Sequence, residues 1–82
     1  MPLTPEQADA AVAAQLRAER ARRDWTQAEL AGRAGLHYNT IHRIEKGQRG
    51  MSLAQLYAIC GALGIDPGEF LDAAQAAAIS GK

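Results

Sequence analysis

Apolar residues recur three and four positions apart along most of the chain, and each recurrence is bracketed by residues that start or stop helices. In the first stretch, Thr4 is a suitable N-cap, Pro5 fits the first helical position and Gln7 stands where a capping-box partner belongs. Val12, Leu16 and Arg20 follow on one face with Ala8 and Ala13 beside them, and Asp24 falls just past the end. A second helix begins with the box Thr26/Glu29 and the staple Trp25/Leu30. Its apolar stripe is narrow (Leu30, Ala31, Ala34), and Gly35 supplies a turn after about two helical turns.

A third helix follows at once. Leu36 and Ile41 have staple spacing around His37, Ile41 and Ile44 mark the buried side, and Gly47 is a suitable stop. Residues 48–51 read as a loop. Ser52 caps a fourth helix with the stripe Leu53, Leu56, Ile59, Cys60 and Leu63, ended by Gly64. Asp66, Pro67 and Glu69 start a fifth helix, which Phe70 and Leu71 begin and which runs on through Ala73–Ile79. Two short helices joined by a tight glycine turn, the second and third, make a helix-turn-helix pattern.

Composition agrees with helix: alanine, leucine, arginine, glutamate and glutamine dominate, and aromatics are few. With 82 residues there is room for one domain with a thin margin of stability. The single cysteine, Cys60, excludes an internal disulfide and a cysteine-based zinc framework, and its place in an apolar stripe suits core packing. No apolar run is long enough to span a membrane and the first residues do not resemble a signal peptide, so the expectation is a reduced cytoplasmic protein.

The formal net charge is zero, but the charge is unevenly spread. From Arg17 to Arg49 eight arginines and lysines face four carboxylates, a balance of +4, while the flanks are acidic. A basic stretch by itself more often marks a solvated face than a nucleic-acid partner. The wheel of the third helix is more informative. With Ile41 and Ile44 toward the core, Asn39, Arg43 and Lys46 point nearly opposite, His42 lies beside them and Tyr38 lies at the flank. No acid falls on that face. Arginine can grip guanine and asparagine can grip adenine with paired hydrogen bonds. Glu45 falls toward the core instead, where an unpaired carboxylate would be costly and Arg20 of the first helix can pair with it.

Three stretches, Trp25–Leu36, Ile41–Gly47 and Ser52–Leu56, together with Ala62-Leu-Gly-Ile, resemble the Cro/cI-type helix-turn-helix family, also called the xenobiotic response element family. The resemblance spans roughly Val12 to Leu71. It implies an all-α, five-helix, lambda-repressor-like DNA-binding domain over residues 1–82, with its core in about 12–71 and with 72–82 a C-terminal helical extension or tail. It implies that the second motif helix enters the major groove while the first lies across the backbone. On that basis Tyr38, Asn39 and Arg43 are expected to contact bases, and His42, beside them on the wheel, is expected to join them. Gln27, Thr26, His37, Lys46 and Arg49 are expected to contact phosphates, Gln27 at the first turn of the second helix where free N–H groups attract anions. Arg17 and Arg33 are either phosphate contacts or solvated charges. Arg20 and Glu45 take positions that often form an ion pair between the first and third helices. Two features depart from the family: His37 replaces the usual serine or threonine cap, and the 48–51 loop lacks a proline.

Other chemistries find little support. His37 and His42 fall on different helix faces with no further ligand, so no metal is expected. No nucleophile–base pair or phosphate-binding glycine loop is visible, so neither catalysis nor a cofactor or small-molecule ligand is expected. The expected function is a transcriptional regulator, a repressor binding double-stranded DNA at a palindromic operator as a homodimer in the cytoplasm, associated with the nucleoid. The alternative is a protein-interaction module, such as an antitoxin or adaptor, on the same fold.

Overall fold

The computed structural model describes residues 3–80, which form five helices and no strand: α1 (Pro5–Arg22), α2 (Gln27–Ala34), α3 (Tyr38–Glu45), α4 (Leu53–Leu63) and α5 (Pro67–Ser80). The starts are where the side chains dictate. Thr4, Thr26 and Ser52 each accept the N–H three residues on, and Gln7, Glu29 and Gln55 reciprocate, so three full capping boxes form. Asp66 accepts from the Glu69 N–H at the head of α5. The exception is α3, whose cap residue His37 makes no side-chain cap bond.

Between α2 and α3 the chain turns through Gly35 at φ +70°, a left-handed conformation that costs glycine nothing. The Leu36 N–H then closes on the Ala31 carbonyl at 2.9 Å, and α3 starts after three connecting residues. Asp24 adopts φ +61° in the α1–α2 connection, the one described non-glycine residue with positive φ.

Leu16, Leu30, Ile41, Ile44, Ile59 and Phe70 are sealed from solvent, so every helix contributes to one core. Within it α1 packs on α5 and α3, and α2 packs on α3 and α4. Cys60 is fully buried in the same cluster, and its thiol pKa is raised, first by burial and then by the charges of Asp66 and Glu19. One expected core residue is not there: Leu53 is 71% exposed. Its spacing is right, but the first turn of α4 stands at the rim of an open groove with Val12, Met51 and Leu71, where nothing covers it.

Candidate nucleic-acid interface

The surface of α3 follows from its two buried isoleucines. Ile41 and Ile44 anchor one side at 0% and 1% exposure, which turns Asn39, Arg43 and Lys46 outward, all exposed. Tyr38 is about half exposed and stacks on the His42 ring one turn later, with centroids 5.7 Å apart and planes 18° apart. Arg43 and Lys46 have no acidic partner among the described residues. A row of donors and one amide thus faces solvent without an internal use.

Behind this row lies a polar network centred on Glu45, which the wheel places toward the core. Glu45 is 2% exposed and accepts two parallel bonds from Arg20, Nε to Oε2 at 2.8 Å and Nη2 to Oε1 at 2.9 Å. This fork geometry is the strongest form of ion pair, and the bond to Glu45 raises the Arg20 pKa above its ordinary value. Arg20 also donates to the Trp25 carbonyl at 2.8 Å, so one guanidinium ties α1, the α1–α2 turn and α3 together. Arg17 donates to the Glu45 carbonyl. It is therefore spent on closing the C-terminal end of α3 rather than standing as a free surface charge. Gln27, at the first turn of α2, donates from Nε2 to Glu45 Oε1 at 2.9 Å and meets His42 Nδ1 through Oε1 at 3.1 Å.

The remaining residues expected to touch phosphate lie around α3. His37 is exposed at its start, and Arg49 is exposed in the following loop with only long contacts of 3.4 and 3.5 Å to Gly50 and Gln55. Thr26 holds the α2 cap through its hydroxyl oxygen. Gln27 is half-buried and both ends of its amide have internal partners. Arg33 lies over the Trp25 ring, 4.3 Å from its centroid, which makes a cation–π contact.

A second buried carboxylate is Glu19. It is 6% exposed and accepts from Arg22, Arg23 and Gln15. Burial alone would raise its pKa, but the bonds from Arg23 and Gln15 and the charges of Arg22 and Arg23 together hold it below the ordinary 4.5. Arg23 continues to the Leu63 carbonyl at 2.8 Å and so pins the end of α4 to α1. The i, i+3 and i, i+4 spacing of Glu19 to Arg22 and Arg23 is the signal of this cluster in the sequence.

An eight-residue helix with its polar side outward, set behind a second eight-residue helix across a glycine turn, defines the helix-turn-helix class of proteins. The helix-turn-helix domain family model matches residues 11–77, and the chain belongs to that family. Among solved structures, the restriction-modification controller protein C.AhdI from Aeromonas hydrophila is 31% identical (TM-score 0.73), the match covering 76% of this chain and 94% of that one. The clp gene regulator ClgR from Corynebacterium glutamicum is 28% identical (TM-score 0.83), with 96% and 80% covered. A point mutant of the controller protein C.Esp1396I, 20% identical with a TM-score of 0.83 over 92% and 97% of the chains, shares the fold. No curated protein matches the chain by sequence. The five-helix, all-α, repressor-like architecture implied by the sequence resemblance is thus the architecture of the molecule.

Proposed function

We propose that the protein is a sequence-specific transcriptional regulator that binds a palindromic operator as a homodimer. One observation carries this reading: the exposed strip of Tyr38, Asn39 and Arg43 on α3 and Lys46 at its end, which contains no acid and in which Asn39, Arg43 and Lys46 have no internal partner among the described residues. Arg43 and Asn39 are the groups that read purine edges, Tyr38 and His42 flank them, and Lys46, Arg49, His37, Thr26 and Gln27 are the candidate phosphate contacts around them. The neighbours' own names, a restriction-modification controller and a clp gene regulator, point the same way.

The homodimer follows from size. An eight-residue helix is about 12 Å long, enough for about three or four base pairs. Two such helices related by a two-fold axis would read half-sites about 34 Å apart. The segment from Phe70 to Ile79 is the candidate dimer surface, with Leu71 41% and Ile79 58% exposed. Repression requires nothing beyond occupancy, because a protein seated on a promoter blocks it. Its place is then the cytoplasm, on the nucleoid.

Selection of bound fragments from a random DNA pool tests the proposal. The expected result is a two-fold symmetric site, with Asn39→Ala and Arg43→Ala each costing about 1–3 kcal/mol on that site and relaxing one base position. Equal losses on specific and random DNA would remove Asn39 and Arg43 from the base contacts. An absence of DNA affinity at low salt, with tight capture of a protein partner, would favour an interaction module instead.

A further inference from the structure

The link from the core ion pair to the reading surface fixes more than position. Glu45 is held by the Arg20 guanidinium through both oxygens, so it has no proton to give and only accepts. The Gln27 amide must therefore present its NH2 to Glu45, which leaves its carbonyl oxygen, an acceptor only, 3.1 Å from His42 Nδ1. A bond there requires the proton on Nδ1. Tyr38, stacked on the ring face, restrains the ring against turning away. His42 Nε2 has no partner among the described residues. No buried side-chain nitrogen or oxygen there lacks one either, so Nε2 of the half-buried His42 is not sealed from solvent.

We propose that the Arg20–Glu45–Gln27 chain locks neutral His42 as its Nδ1–H tautomer, so that Nε2 acts as a hydrogen-bond acceptor selecting a base with an exocyclic amino group, cytosine N4 or adenine N6. This rests on the DNA-reading function proposed above and gives His42 one defined role within it. Gln27 is then a positioning residue for readout, in addition to any phosphate it meets. The ordered relay assigns direction at each step: Arg20 donates to Glu45, Gln27 donates to Glu45, His42 donates to Gln27, and the base donates to His42. The alternative tautomer would turn Nε2 into a donor suited to guanine or thymine oxygen, and would leave two acceptors facing each other at Gln27.

Two measurements test it, both at pH 8.5, above the ordinary imidazole range. The first is long-range nitrogen–proton NMR of the free protein, with the His42 signals identified by their loss in His42→Ala. Nδ1 should carry the proton and Nε2 should have the unprotonated shift. A proton on Nε2 overturns the proposal whatever the protein does to DNA. The second uses base analogues at the operator position that His42→Ala relaxes. Replacing adenine there by purine, or cytosine by 2-pyrimidinone, removes only the amino group. Wild-type affinity should fall about fivefold, the worth of one net hydrogen bond, and His42→Ala should show no further fall.

A loss on substituting a 7-deazapurine at that pair, with none on removing the amino group, overturns the acceptor role while leaving DNA reading intact. Gln27→Met should abolish the amino-group penalty and mix the two tautomers while the protein still melts cooperatively. An unchanged penalty in Gln27→Met removes Gln27 from the relay. If no DNA is bound at low salt although the tautomer is as stated, the DNA-reading function fails and takes this readout with it.

Discussion

At the scale of single residues, the two buried carboxylates decide most. Glu45 has its charge compensated by a two-bond fork from Arg20, whose side chain is only 22% exposed. Removing one partner leaves the other charge buried or mostly buried and unpaired, which costs more than the pair contributes. Glu45→Ala is expected to lower stability by about 3 kcal/mol in urea melts, and Arg20→Leu with Glu45→Leu to lose much less. An unchanged midpoint in Glu45→Ala would show that solvent, not Glu45, holds Arg20.

Glu19 makes the protein sensitive to acid. Its folded pKa lies below the ordinary value of 4.5, so the unfolded chain takes up a proton first as pH falls. The stability it contributes is complete above that ordinary value and is lost as pH drops toward the folded pKa. The urea midpoint should therefore fall from pH 6 to pH 3, and Glu19→Gln should flatten that fall. An equal pH slope in the variant would assign the acid sensitivity elsewhere.

At the scale of elements, four helices start on a side-chain cap and α3 does not. The departure is visible in sequence as His37 where serine or threonine is usual, and the structure gives its consequence: the first N–H groups of α3 lack a side-chain acceptor. His37→Ser should supply one and add about 1 kcal/mol, roughly 4–8 °C in a domain of this size. No rise in melting temperature would mean that water or a neighbour already satisfies those groups. An uncapped N-terminus is also where backbone N–H groups stay available to a phosphate, in keeping with the proposed function.

The elements also show where periodicity reads well and where it does not. Helix starts and ends were legible because capping is local: Thr26 and Glu29, or Ser52 and Gln55, are three residues apart and need no partner from elsewhere. Leu53 was misplaced for a complementary reason. Spacing assigns it to a face of α4, but only the arrangement of α1 and α5 decides whether that face is covered at that turn.

At the scale of the whole molecule, zero net charge coexists with a basic α3 surface because the acidic flanks offset the basic centre, and much of the central charge is also paired internally. Arg20, Arg22 and Arg23 are paired with Glu45 and Glu19, and Arg17 closes α3. What remains outward near α3 is Arg43, Lys46 and Arg49. If the proposed function holds, DNA affinity per chain should therefore fall only moderately with salt. Lys46→Ala or Arg49→Ala should weaken specific and random DNA alike and flatten the slope by about one counterion. An unaltered slope would exclude that residue from phosphate contact.

The sequence alone determined the five helices, their caps, the glycine turn between α2 and α3, and the outward side of α3. These depend on interactions within a few residues, which any local reading can trace. Tertiary structure alone decided how the long polar side chains are used: Arg17 on the Glu45 carbonyl, Arg23 on the Leu63 carbonyl, and Gln27 between Glu45 and His42. Flexible side chains reach several partners from one backbone position. Which one they take depends on the distance and angle between packed helices, which the chain's local pattern does not encode.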